Sequence, residues 1–297
     1  MVVVILSWIY YFILCLLIGL GIEKLLNKIL KGKWQFQTID HLVAGIAGIT
    51  IYAAFFSIFY KVGMLSHLLL LTAAVFSGYC NRAELIEILK SGKKIVFSWE
   101  GFFFFCFILG IAFFTSRGNF HTDTHIYHAQ NIRLYEEYGL IKGMANLQLH
   151  YGYNSLYLAF CAVMSLSWLL PWSLHTTTGF IEMILCLYAL HHLKDFKHHK
   201  SHLEDAGCIA MLFYALVNVT GSMSPATDYP TMFLSIYMAS VWLRAIEEKA
   251  HYSVYALLSV FGVFLGTMKL SAISMAFVVI YPAFFFLNLI PSLFQNR

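Results

Sequence analysis

Runs of about twenty apolar residues recur along this chain, and mostly short polar stretches separate them. A helix of that length matches the roughly 30 Å of hydrocarbon in a bilayer. The composition agrees, since 60% of the 297 residues are apolar and 11% are charged, against roughly 25% charged residues in a soluble domain. The chain is therefore predicted to be an all-α, polytopic membrane protein.

About nine transmembrane helices are predicted from the positions of these runs. They lie near 2–22, 42–60, 65–80, 95–116, 175–193, 205–221, 229–246, 252–268 and 272–292. The first run has no basic region before it and is too long for a signal-peptide core, so it is predicted to be a retained helix. A further run at 154–171 ends at Pro171, and whether it crosses decides the topology.

The distribution of lysine and arginine chooses between the two topologies, because these residues favour the cytoplasmic side of a membrane. If 154–171 does not cross, 14 of the 19 lie inside; if it crosses, only 9 do. The first arrangement is predicted, in a bacterial inner membrane, with an extracytoplasmic loop at 117–174. The net charge of +4 then reflects orientation, and no nucleic-acid partner is expected.

The 117–174 loop is where chemistry is expected, since it is the one long stretch outside the predicted spans. Its polar part contains the sequence NFHTDTHIYHAQNIRLYEEYG. A helix on the membrane surface is predicted over 124–138, with Thr122 or Asp123 as its N-cap and Gly139 as its stop.

Asp123 is the leading candidate for a catalytic residue. A carboxylate just beyond a span, little more than one helical turn from His128, can act as a general base or hold a metal ion. The alternative is that Asp123 only caps the helix. His121, His125 and His128, at spacings of four and three, are either metal ligands or hydrogen-bonded interfacial histidines.

Two further polar groups lie on the same side of the membrane in the predicted topology. One surrounds Asp228 in the sequence SPATDYP, and the other contains Lys269 and Ser271. An ionisable residue at membrane depth is costly and indicates function. The predicted partner of Lys269 is a phosphate or Asp228, and the alternative is a lysine that extends to the interface.

Short motifs in these segments resemble those of bacterial multispanning GT-C membrane glycosyltransferases. The motifs are Asp123-Thr124-x-x-Tyr127-His128, Tyr138-Gly139, Gly143-x-x-Asn146-Leu147, Asn154-Ser155, Ser224-Pro225-x-x-Asp228 and Lys269-x-Ser271. The resemblance implies three added transmembrane helices with cytoplasmic loops in 1–96. It implies a GT-C-like core in 97–297, with surface helices in the first outer loop.

The resemblance also implies an activity. The donor would be a sugar on polyprenyl phosphate, and the acceptor a glycan, lipid or protein, in cell-surface polysaccharide or glycolipid assembly. Asp123 aligns with the acidic residue near the start of the family's first outer loop, and His128 is assigned to catalysis beside it. Substrate binding is assigned to Tyr127, Arg133, Asn146, Asn154, Asp228 and Lys269. If a divalent metal ion takes part, its candidate ligands are Asp123, His121 and His125.

Two other functions are compatible with the same residues. In a transporter or flippase for a lipid-linked glycan, the polar residues would bind without reacting. In a di-iron membrane oxidase, His198-His199-x-x-His202 and His121-x-x-x-His125 would act as histidine boxes. The predicted topology puts a span between these two boxes, which disfavours the oxidase.

Overall fold

The computed structural model describes residues 1–30, 36–118, 121–194 and 202–278. The described residues form helices and turns and contain no strand, which confirms the all-α prediction for this part of the chain. The helices are α1 (Val2–Leu30), α2 (Thr38–Ser57), α3 (Met64–Cys80), α4 (Arg82–Val96), α5 (Trp99–Ser116), α6 (Ala129–Glu137), α7 (Leu156–Met164), α8 (Thr177–Leu193), α9 (Leu203–Val217), α10 (Asp228–Glu247), α11 (Tyr252–Met268) and α12 (Met275–Val278).

Two of the described helices, α1 and α2, are long and apolar enough to cross a membrane. A third span is added if α3 and the start of α4, which meet at 88°, count as one bent crossing. By length and composition, two or three of the described helices could therefore span a membrane, which indicates a membrane protein. The other predicted spans up to 268 coincide with helices α5 and α8–α11, and most of the segment 272–292 lies outside the described residues.

The chain divides into two compact units, Met1–Ile184 with Asn218–Ala226, and Leu185–Val217 with Thr227–Arg297. In the first unit, α1 and α2 pack antiparallel in backbone contact. A Cβ on Gly19 would lie 1.9 Å from the carbonyl oxygen of His41, and one on Gly45 would lie 2.0 Å from that of Cys15. Only glycine permits this approach, so the two glycines fix the spacing of the helices.

Helix α7 is short and is buried on every side. Its nine residues span about 14 Å, less than half of the hydrocarbon thickness, so the 154–171 segment does not cross as one helix. The Tyr11 hydroxyl donates to the carbonyl of Met164 at 2.6 Å, and the Leu174 amide donates to the carbonyl of Ser165 at 2.9 Å. Helix α7 thus ends at Met164, and a turn brings Leu174 back to Ser165.

In the second unit, α9 packs against α10, where Gly207 allows close approach to Ser240. Helix α11 ends before Lys269, and the chain turns back on itself through a 3-10 turn at Leu270–Ser274. A Cβ on Gly262 would lie 2.6 Å from the amide nitrogen of Ala276, so α12 returns along α11. The chain therefore reverses direction between the predicted spans at 252–268 and 272–292, directly after Lys269.

Candidate functional site

Asp123 lies at the entrance of an irregular helix. It precedes a π-helical turn at Thr124–His128, which leads directly into α6. The carboxylate makes no capping hydrogen bond, and the Asp123 amide instead donates to Nδ1 of His121 at 3.3 Å. The simple capping role is thus not realised. π-Helical turns often occur at functional sites, because the extra residue re-aims the side chains around it.

An aromatic cluster lies one turn beyond Asp123. Its members, from the π-helical turn and a 3-10 helix at Leu149–Tyr153, are Tyr127, His128, His150 and Tyr153. The rings of Tyr127 and His150 stack with centroids 4.9 Å apart, and Tyr153 meets Tyr127 edge-on at 6.0 Å. The His128 ring lies 4.1 Å from that of Tyr127. The Tyr127 ring is therefore packed against three other aromatic rings.

The phenol of Tyr127 lies within electrostatic range of the Asp123 carboxylate. Burial raises the pKa of Tyr127, and the negative charge of Asp123 raises it further. The Tyr127 hydroxyl is therefore neutral at pH 7 and can donate a hydrogen bond. His128 is fully buried, and its ring packs against that of Tyr127.

Ser224, in the motif that contains Asp228, contacts Thr124, in the motif that contains Asp123. Its hydroxyl lies 2.5 Å from that of Thr124, the residue after Asp123. The Thr178 hydroxyl donates to the Ser224 carbonyl at 2.6 Å, and the Ala226 amide donates to the Ser224 hydroxyl at 3.1 Å. Two motifs that are 100 residues apart in sequence are thus in contact within the first unit.

A small, shallow depression that is partly open to solvent lies beside α6. Asn131, Tyr151 and Asn154 provide its polar groups, and Tyr135, Leu140 and Ile141 are among its other walls. Asn154 ends the 3-10 helix that also carries His150 and Tyr153, and it has a left-handed backbone with φ of 46°. Amides and a phenol among apolar walls suit a ligand that has several hydroxyl groups.

Other predicted site residues in the 117–174 loop lie on its exposed surface. The Arg133 side chain is 70% exposed and is paired with Glu137 at 2.7 Å, one turn along α6. Asn146 and His125 are also exposed. The backbone amide of Asn146 donates to the Gly143 carbonyl in a tight turn.

Asp228 and Lys269 form an ion pair in the second unit. Asp228 is the first residue of α10, and Lys269 lies in an extended stretch directly after α11. The two side chains are 47% and 39% exposed, respectively. Asp228 was one of the two partners predicted for Lys269.

The proposed metal ligands of the 117–174 loop do not converge. Among the described residues, the group whose three ligand atoms all lie within 4.8 Å of one another is Glu23, His41 and Glu84. Sequence reasoning missed this group, because its members come from three separate helices and form no local motif. Glu23 and His41 lie near the ends of largely apolar helices, whereas Glu84 is one of several charged residues in α4.

Two histidines in or near the more C-terminal histidine box of the oxidase alternative contact carboxylates. Nε2 of His192 lies 3.0 Å from Asp205, and Nδ1 of His202 lies 3.0 Å from Glu247. His198 and His199 lie outside the described residues. These contacts give the oxidase no added support.

Comparison with known proteins places the chain in a family. It matches the family described as Domain of unknown function (DUF8201) over residues 1–293, and it belongs to that family. No curated protein and no solved structure matches the chain.

Proposed function

We propose that the chain is a GT-C-type membrane glycosyltransferase. It transfers a sugar from a polyprenyl-phosphate donor on the extracytoplasmic face of a bacterial inner membrane, with about nine crossings. The acceptor is a glycan, lipid or protein of the cell envelope. The observation that carries the proposal is the placement of Asp123: its carboxylate makes no capping hydrogen bond, and it directly precedes the π-helical turn that carries the ring-packed Tyr127.

Asp123 acts as the general base in this proposal. It removes the proton from the acceptor hydroxyl as the acceptor oxygen forms a bond to C1 of the sugar. The bond between C1 and the phosphate oxygen breaks, and its electron pair leaves with the lipid phosphate. Positive charge develops on the sugar ring in between, and the nearby carboxylate stabilises it.

The aromatic cluster and the adjoining pocket hold the sugars. Tyr127 and Tyr153 offer ring faces and edges to a sugar, and the neutral Tyr127 hydroxyl can donate to a ring oxygen or hydroxyl. Asn131, Tyr151 and Asn154 supply hydrogen bonds in the pocket. His128 is a positioning residue in this proposal, because it is fully buried and packs against the ring of Tyr127.

Lys269 and Asp228 are assigned to donor binding by the resemblance, with Lys269 neutralising the phosphate. Asn146 keeps its assignment to substrate binding on the same ground. Arg133 is the weaker phosphate candidate, since it lies exposed in a pair with Glu137. Among the described residues, Asp123, His121 and His125 do not form a group of three converging ligand atoms.

The test is transfer from radiolabelled polyprenyl-phosphate sugars by membranes that contain Asp123→Asn. We expect transfer to fall by about 10²–10⁴, the usual contribution of a general base, with unchanged protein level. Glu137→Gln is the matched control, because this exposed carboxylate on α6 is paired with the surface residue Arg133. Full activity in Asp123→Asn would remove Asp123 from the mechanism.

The same assay separates the enzyme from a carrier. A wild-type chain that binds polyprenyl phosphate but turns over none of the sugar donors would overturn the enzyme proposal. That result would favour the flippase or transporter alternative.

A further inference from the structure

A second group of ionisable side chains lies where α1 ends, α2 begins and α4 begins. Nε2 of His41 is 2.7 Å from a carboxylate oxygen of Glu23 and 3.3 Å from one of Glu84. His41 and Glu23 are buried, whereas the Glu84 side chain is 44% exposed and opens the group to solvent. None of these three residues takes part in the proposed transfer reaction.

The backbone positions this group before any ligand arrives. Gly19, one turn before Glu23, packs against the His41 backbone, and Gly45, one turn after His41, packs against α1. The remaining Glu23 oxygen accepts a hydrogen bond from the Phe36 amide at 2.9 Å, which orients its carboxylate toward His41. Outer hydrogen bonds of this kind orient the ligands in metal sites.

The group has more acceptors than donors. Each carboxylate only accepts hydrogen bonds when ionised, and one imidazole N–H cannot fully satisfy both. His41 is 1% exposed and aims Nε2 into the group, while its Nδ1 has no partner among the described residues. Two buried or half-buried negative charges beside a polar ring are costly without a cation.

The spacing suits a metal ion. Ligand atoms about 2.0–2.2 Å from a tetrahedral zinc ion lie roughly 3.3 Å apart, and the three ligand atoms here lie within 4.8 Å of one another. An imidazole nitrogen favours a first-row transition metal over magnesium or calcium, which prefer oxygen ligands alone.

We propose that Glu23, His41 and Glu84 bind a divalent first-row transition metal ion, with an open position for water. The ion joins α4 to the α1–α2 pair. In the predicted topology these helix ends face the cytoplasm, so the site is separate from the extracytoplasmic site of transfer. It does not depend on the proposed activity.

The probe is Zn²⁺, titrated by calorimetry into the full-length chain, purified in detergent without a histidine tag and stripped with a chelator. We expect one zinc ion per chain. Glu84→Gln should weaken binding by at least about tenfold, since even the loss of an outer-shell partner has an effect of that size. Glu87→Gln, an exposed residue on the same helix, is the matched control and should bind as the wild type does.

A second measurement, of the melting temperature with and without zinc, tests whether the variants are folded. Zinc should raise the melting temperature of the wild type and of Glu87→Gln, but not that of Glu84→Gln, whose half-exposed side chain makes it the mildest change. Equal zinc affinity in Glu84→Gln and wild type would overturn the proposal, because the ion would then be bound by other residues. Wild-type binding no tighter to Zn²⁺ than to Mg²⁺ would also overturn it.

Discussion

Glu136 is a half-buried carboxylate that joins α6 to the turn after α7. The Ser173 hydroxyl donates to its oxygens at 2.7 and 3.0 Å. Burial raises the pKa of Glu136, while hydrogen bonds from nearby serines oppose the rise. The folded chain therefore holds a proton on this group more tightly than the unfolded chain does.

Linkage gives the sign of the pH effect. A raised folded-state pKa contributes stability that is fully present below the ordinary glutamate pKa and is lost as pH rises through the folded value. Glu136→Gln keeps an oxygen acceptor for Ser173 but cannot ionise. We expect the melting temperature of Glu136→Gln in detergent, minus that of the wild type, to increase as pH rises from about 4 to about 7.

The control for this prediction is Glu137→Gln, which changes the neighbouring exposed residue. Its pair with Arg133 lies at the surface, where such pairs contribute roughly 0.3–0.5 kcal/mol. Parallel pH profiles for Glu136→Gln and wild type would contradict the argument that burial destabilises the ionised carboxylate.

Some individual residues could be predicted from sequence, and others could not. Asp123 stood out because it is a carboxylate at the end of an apolar run. Glu23 and His41 did not stand out, since their meeting depends on the glycine contacts between α1 and α2. Contacts made across the fold leave no trace in local sequence spacing.

Gly139 shows how one position can fix the path of an element. It has a left-handed backbone with φ of 81° and ends α6, as predicted. The Leu140 amide donates to the Ser57 carbonyl at 2.7 Å, and the Val62 amide donates to the Tyr135 carbonyl at 2.8 Å. The end of α6 is therefore fastened to the connection between α2 and α3.

Gly139→Ala is expected to destabilise the chain by about 2–4 kcal/mol, through left-handed strain and overpacking. The added Cβ would lie 2.6 Å from the Ser57 carbonyl oxygen. Gly143→Ala is the matched control, with φ of 82° but its nearest contact at 3.6 Å, and it should cost about 1–2 kcal/mol. Thermal unfolding in detergent measures both, and equal losses would show that Gly139 has no packing role.

Helix periodicity predicted the elements better than it predicted their ends. The expected helix at 124–138 exists, but it begins at Thr122, contains a π-helical turn at Thr124–His128 and is not capped by Asp123. The segment Arg82–Val96 was counted as a cytoplasmic loop, because its apolar run is short. It is the amphipathic helix α4, with Leu85, Ile86 and Leu89 at helical spacing among charged residues.

At the scale of the whole chain, the apolar runs can be predicted from the sequence, whereas the long-range contacts cannot. The helices coincide with the predicted runs because burial of apolar residues in lipid depends on local composition. The contact of Ser224 with Thr124 joins positions 100 residues apart. It required the fold, since no periodicity connects the two segments.

The topology of the whole chain follows from whether the 154–171 segment crosses, and single cysteines in a cysteine-free background test it in intact cells. Leu147 and Leu270 are each 79% exposed, and Glu248 is exposed at the end of α10. Ser222, in the connection before α10, is unsuitable as a labelling position because it is fully buried. We expect a membrane-impermeant maleimide to label Leu147→Cys and Leu270→Cys, and to leave Glu248→Cys protected until the cells are opened.

Leu147→Cys is the internal control, because it precedes the segment and lies outside in both topologies. Labelling of Glu248→Cys with protection of Leu270→Cys would mean that the segment crosses. Lys269 would then face the cytoplasm and could not bind a donor phosphate on the outer face. Because α7 is only nine residues long and the chain turns back at Leu174, the structure favours the first outcome.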